Sequence, residues 1–223
     1  MPSVRSIAKS GKAAAPGRPK DLGKRAAILD AARRLFTTQG FDGVSMDQIA
    51  AEAGVSKLTV YSHYGDKETL FAAAAKAYCD QQLPGSLFEP RPDLPLRERL
   101  LQIGRVFFAM VASPEAVAAH RMLSTPQMAE TAVPRMFWDA GPQRVQDAFA
   151  ELLRARMAAG QLAIDDVPRA ASQFFALLKG EPHAQQVFGC GALRNGDTEA
   201  HLAATVDLFL RAYGVRGTSA RGA

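Results

Sequence analysis

Ser45–Tyr64, SMDQIAAEAGVSKLTVYSHY, reads as two short helices joined by a tight turn. Ser45 and Gln48 have the spacing of a Ser-x-x-Gln capping box, which satisfies two of the free N–H groups at a helix start. Ile49, Ala50 and Ala53 supply an apolar side, and Gly54 ends the helix because glycine reaches the left-handed conformation at little steric cost. Val55 then turns inward. Ser56 caps a second helix carrying Lys57, Thr59, Tyr61, Ser62 and His63, with Val60 toward the core. Two helices crossing steeply over so short a turn need a small residue where their backbones approach, and Ala50 fits. This is helix-turn-helix geometry, which places the second helix in a DNA major groove. An ordinary αα-hairpin is the alternative, and it would leave Lys57, Thr59, Tyr61 and His63 merely solvated.

The charge is distributed as that reading requires. The net charge is +5, and residues 1–64 carry ten Lys/Arg against five Asp/Glu, whereas the remainder is balanced. The positive excess therefore lies on and before the two-helix unit, where cations would release counterions from a duplex. With 223 residues, 48% of them hydrophobic, the chain can bury a large core. No run of 18 apolar residues suggests a membrane span. The basic N-terminus lacks the apolar segment of a secretory signal, so a cytoplasmic location is expected. Cys79 and Cys190 form neither a disulfide framework nor a metal spacing and are expected to be free thiols.

Outward from the two-helix unit, residues 1–20 read as a disordered basic arm, in which Pro16-Gly17-Arg18-Pro19-Lys20 has the form of a minor-groove hook. Residues 21–65 read as the DNA-binding domain. Its first helix runs from a cap at Asp21 to about Gln39, with Ile28, Ala32, Leu35 and Phe36 on one stripe. Lys24 and Arg25 lie in its first turn, unfavourably for the helix dipole, and nearby phosphates would offset that. A linker helix follows over 66–82, capped by Asp66. Pro84, Gly85, Pro90, Pro92 and Pro95 mark a break, and 83–223 read as a larger helical bundle. Ser113-Pro114 and Thr125-Pro126 open helices. Gly141-Pro142 kinks or restarts one, Asp165-Asp166 cap the next, and Gly180-Glu181-Pro182 kinks or ends it. The fold class is all-α.

Tyr61-Ser62-His63-Tyr64-Gly65-Asp66-Lys67-Glu68-Thr69-Leu70-Phe71 resembles the end of the TetR-family DNA-binding domain, an aromatic pair and short turn followed by Lys-Glu-x-Leu. Gly40-Phe41, Ser45-Met46-Ile49-Ala50 and Ala53-Gly54-Val55-Ser56 extend the likeness over about Arg25 to Tyr78. Leu58, where many members have a small residue, and Tyr64, where Phe is usual, depart from the pattern. The stretches Phe137–Pro142 and Gln173–Gly180 resemble the C-terminal domain of AefR-like regulators. The resemblance implies that Lys57 and Thr59 contact the groove and that Tyr61, His63 and Lys67 contact phosphates. Ser45 would contact the backbone, and Ser56, Tyr64, Lys24 and Arg25 complete the DNA-binding set.

The apolar faces of the last two helices, with Phe174, Leu178, Leu202, Val206, Phe209 and Tyr213, suggest a subunit interface, the alternative being that they pack on their own domain. The same resemblance implies a homodimer on a palindromic operator, paired through these helices. It also implies a small apolar effector among Phe107, Met110, Met122, Met136, Trp138, Phe174, Phe175 and Leu178. Met and aromatic residues at helical spacing are equally the makings of an ordinary core. The four histidines are scattered, and no His-Glu-x-x-His, Gly-rich phosphate loop or Cys-x-x-Cys occurs. No enzyme activity, metal or cofactor is therefore expected. The expected function is a ligand-responsive transcriptional regulator, a repressor released by its effector. The alternative is a DNA-binding protein of architectural type without an inducer.

Overall fold

The computed structural model describes residues 22–91, 93–190 and 197–215. The basic arm, its proline hook and the Asp21 cap lie outside them. Eleven helices are described: α1 Leu22–Gln39, α2 Met46–Glu52, α3 Lys57–Tyr64, α4 Lys67–Gln82, α5 Leu96–Val111, α6 Pro114–Leu123, α7 Pro126–Ala129, α8 Val133–Ala140, α9 Pro142–Ala158, α10 Val167–Phe188 and α11 Asp197–Tyr213. Among the described residues the sole extended pairing is an isolated bridge between Leu162 and Gly214.

The helix starts follow local chemistry. Side chains of Ser45, Ser56, Asp66, Ser113 and Asp166 each accept from the backbone N–H three residues on, satisfying donors that the helix cannot. One break departs from the sequence reading, which ran a single helix from Pro126 to Gly141. The chain divides it into α7 and α8. Pro134 has no N–H to return to the Glu130 carbonyl, so a continuous helix is interrupted there.

Two cores form. In the first, α1–α4 enclose Ile28, Ile49, Val60 and Leu70, all fully buried, around mutually packed Phe36, Phe41 and Phe71 rings 5.2–5.7 Å apart. Met128 and Val133, from well beyond the proline-rich break, are buried in this same core. The second core lies among α5, α9, α10 and α11. There Phe149 stacks on Phe174 at 4.7 Å and meets Phe175 edge-on at 5.1 Å. Buried Arg99 donates to the Ser86 and Glu89 carbonyls, and buried Arg156 to that of Arg91. These two cations pin the segment after α4 against the bundle.

α10 is bent by design of its residues. Gly180 takes φ 46°, ψ −156°, a conformation that a side chain would strain, and a Cβ there would lie 2.8 Å from the His201 ring. Pro182 cannot donate to the Leu178 carbonyl four residues back. Nε2–H of His201 donates to it instead, at 3.0 Å.

The structure corrects the expected dimer residues. Phe174, Leu178, Leu202, Val206 and Phe209 are each at most 2% exposed within one protomer. Having no surface left, they cannot line a subunit interface. Tyr213 is half-buried, its hydroxyl donating to Gln173. A helical apolar stripe does not say whether it faces its own core or another chain. The outward faces of these helices instead carry Leu177 on α10 and Ala204, Leu208 and Ala212 on α11.

Candidate nucleic-acid interface and cavity

The α2–α3 unit is held by its own backbone. Ser45 and Gln48 form the reciprocal capping box, Ser45 N–H donating to Gln48 Oε1 at 2.7 Å and Gln48 N–H to Ser45 Oγ at 3.2 Å. Gly54 turns the chain at φ 63°, and Val55 N–H returns to the Ala50 carbonyl at 3.0 Å. Ala50 and Val60 are buried where the two helices meet.

This geometry leaves a polar outer face. Ser45, Ser56, Lys57 and Tyr61 are exposed, and Thr59 and His63 are half-exposed. Ser56 Oγ accepts from Thr59 N–H at 3.2 Å and shares a hydrogen bond with its hydroxyl at 2.8 Å. Lys57 reaches across the turn to Asp47 at 2.8 Å, which raises its pKa through that hydrogen bond and charge, and it lies 5.8 Å from the Tyr61 ring. So exposed an ion pair is readily exchanged for a phosphate. Lys24 and Arg25 are exposed at the start of α1, beside α3.

Two expected contacts have other duties. Tyr64 is a correction, because its ring is 7% exposed in the first core and its hydroxyl donates to the Arg25 carbonyl. It joins α3 to α1 and is not available to a groove. Lys67 is half-buried over the Phe41 ring, donating to the Phe41 and Val44 carbonyls at 3.0 and 3.1 Å. Two of its three donors pin the α1–α2 loop, leaving one for a phosphate. Leu58, not expected as a contact, is 78% exposed on α3 beside Lys57. Its departure from the family pattern was the available signal.

Between this unit and the bundle lies a cavity of about 430 Å³. Its walls come from α1 (Phe36), α4 (Phe71, Tyr78), α5 (Phe107, Met110), α6 (His120, Met122), α8 (Phe137, Trp138) and α10 (Phe175, Lys179). Of the expected pocket residues, Phe107, Met110, Met122, Trp138 and Phe175 line it. Met136, Phe174 and Leu178 do not, the last two being fully enclosed in the second core. The α1 and α4 side chains were missed as lining because their approach is a long-range contact. Cys79 also lines the cavity, and burial pushes its thiol up to about 11, which makes it a poor nucleophile. Among the described residues no group of three or more His, Cys, Asp or Glu side chains is placed to hold a metal ion. No single described helix is long and apolar enough to cross a membrane.

Behind the cavity the rings of His120 and His183 meet edge to face at 4.9 Å. His183 is 8% exposed, and its Nε2 has no partner. Burial, then the neighbouring His120 and Lys179, lower it from 6.5 to about 4. His120 is lowered too, by burial and then by Lys179. The fold thus holds His183 neutral while the unfolded chain titrates near 6.5. Its contribution to stability is complete above that value and is lost as the pH falls toward 4. We expect about 1–2 kcal/mol to disappear between about pH 6.5 and pH 5, read as a falling Tm. His183→Gln should flatten that part of the curve, and parallel curves for the two proteins would contradict the assignment.

Comparison with known proteins accords with this arrangement. Residues 28–74 match the model of the bacterial regulatory proteins of the tetR family, and residues 98–215 match the C-terminal domain of AefR-like transcriptional repressors. The transcriptional regulator BetI of Rhizobium meliloti is 30% identical over 162 residues, 70% of this chain and 75% of that one. The uncharacterized regulator YdeS of Bacillus subtilis is 40% identical over 68 residues, a match spanning 30% of this chain and 34% of that protein. Among solved structures, the flavonoid-responsive regulator FrrA superposes with a TM-score of 0.69 at 32% identity, covering 87% of this chain and 98% of the other. The chain belongs to the TetR family of bacterial helix-turn-helix transcriptional regulators.

Proposed function

We propose that a homodimer of this chain represses transcription by laying its two α3 helices in successive major grooves of a palindromic operator, and that a small apolar molecule in the cavity releases it. The observation carrying this reading is the shared wall. Phe36 of α1 and Phe71 and Tyr78 of α4 belong to the helices that hold α3, and they also line the cavity. An occupant that fits better when α4 is displaced weakens DNA binding by its differential affinity for the two arrangements. The AefR-like C-terminal domain, described as that of a repressor, supports the direction of regulation, and the flavonoid-responsive neighbour supports an organic effector.

On the DNA side, Lys57, Thr59 and exposed Leu58 face base edges, Leu58 suiting a thymine methyl group. Ser45, Ser56, Tyr61, His63, Lys67, Lys24 and Arg25 hold the sugar-phosphate backbone. Two substitutions separate these roles. Tyr61→Ala should weaken binding to operator and random duplexes by similar factors, whereas Leu58→Ala should weaken the operator alone, by about tenfold. Fluorescence anisotropy on both duplexes reads this out. A Tyr61→Ala protein that loses the operator while keeping random DNA would overturn the assignment.

A further inference from the structure

The cavity carries a charge that its apolar walls do not explain. Lys179 lies on α10 immediately before the Gly180 bend, and it lines the cavity together with Phe36, Phe71, Phe107, Phe137, Trp138 and Phe175. Among the described residues no hydrogen-bond or ion-pair partner of its ammonium is present. Burial alone lowers its pKa. A half-buried ammonium without a partner on an apolar wall is held at a cost, and a lysine whose task was only to fill space would be better replaced by methionine or leucine.

The other charges of the wall do not serve it. Arg33 and Glu115, also in the lining, face each other at 3.8 Å, with Arg33 also held by Asp30 at 3.0 Å. The neighbouring titratable rings, His120 and His183, are both held neutral by burial. His120 lines the cavity. The cavity therefore offers one unmatched positive charge and a ring of aromatic faces and edges.

We propose that the cavity takes a planar aromatic acid, its anionic oxygens paired with the Lys179 ammonium and its rings stacked among the aromatic walls. This rests on the reading of the cavity as the effector site and names the chemical class of the effector. The ammonium gains in the complex the partner it lacks in the free protein, so the acid is favoured over a neutral molecule of the same shape. The aromatic walls and the Met110 and Met122 sulfurs suit a flat π-system better than a flexible chain.

Isothermal calorimetry at neutral pH with 2-naphthoate and its uncharged counterpart 2-naphthamide tests this. The full chain should bind the acid at least about tenfold more tightly than the amide. Lys179→Met, which keeps the apolar stem, should erase that preference by weakening the acid and leaving the amide. It should also melt no lower than the parent chain, since the substitution removes a half-buried charge without a partner, and this melt guards against a folding defect. Equal affinity for acid and amide in the parent chain would overturn the aromatic-acid assignment and leave the effector site standing. A preference that survives Lys179→Met would do the same. Failure of both probes to bind would remove the effector reading along with it.

Discussion

Leu208→Glu is expected to leave each protomer folded and to lower operator affinity by about 10²–10⁴-fold, the advantage lost when two linked half-site contacts become independent. Leu208 is 46% exposed in the protomer, on the outward face of α11 with Ala204 and Ala212. Little of the protomer's own packing depends on it. In a twofold dimer the same patch of each subunit meets its counterpart, so one substitution places two carboxylates where Leu208, Ala204 and Ala212 would be covered. Their desolvation and mutual repulsion oppose association. Sedimentation should report a monomer of unchanged helical content, with operator binding measured in parallel. A dimer of undiminished operator affinity would remove the α10–α11 face as the interface.

Phe149→Ala should act the other way, on the protomer itself. Phe149 is fully buried, stacked on Phe174, edge-on to Phe175, and within 6.4 Å of both Phe88 and Phe209. It is the ring through which α9 joins the neighbouring elements of the second core. Truncation loses both its transfer free energy and the contacts of the surrounding rings, about 3–5 kcal/mol, and should lower Tm by about 10 °C. A loss under about 1 kcal/mol would mean that the cluster collapses to fill the space. DNA affinity per folded molecule should change far less than for Leu208→Glu.

What was legible in the sequence was local. Ser45, Ser56, Asp66, Ser113 and Asp166 announce helix starts because a cap needs a donor only three residues away. Gly54 and the Gly180–Pro182 bend are similarly readable. The destination of an apolar stripe was not. Leu202, Val206 and Phe209 have the same spacing whether they meet their own bundle or a second chain, and they meet their own. Tyr64 was misplaced for a related reason, since the pattern that puts its neighbours Tyr61 and His63 outside puts its ring in the core. The participation of Phe36 in the cavity wall depends on α1 approaching α6, which no local signal encodes. Lys179 did carry a signal, as one cation closing an apolar run from Phe174 to Leu178, but its meaning required the cavity.

Under the proposed mechanism the shared wall would couple effector and operator sites without a long relay. Phe71 on α4 packs against Phe36 and Phe41 in the first core and lies 6.3 Å from the Phe137 ring in the cavity wall. Under the proposed mechanism a shift of this one residue would be felt on both sides, the short physical connection that coupling requires.

Selection of bound duplexes from a random pool, read by sequencing, tests the central claim most directly. The account predicts a palindromic site whose half-sites are separated by about one helical turn or a multiple of it, lost from the pool when Leu208→Glu is selected in parallel. An A·T-rich pool without symmetry would contradict it, because binding would then come from the basic arm and DNA shape and not from paired α3 helices.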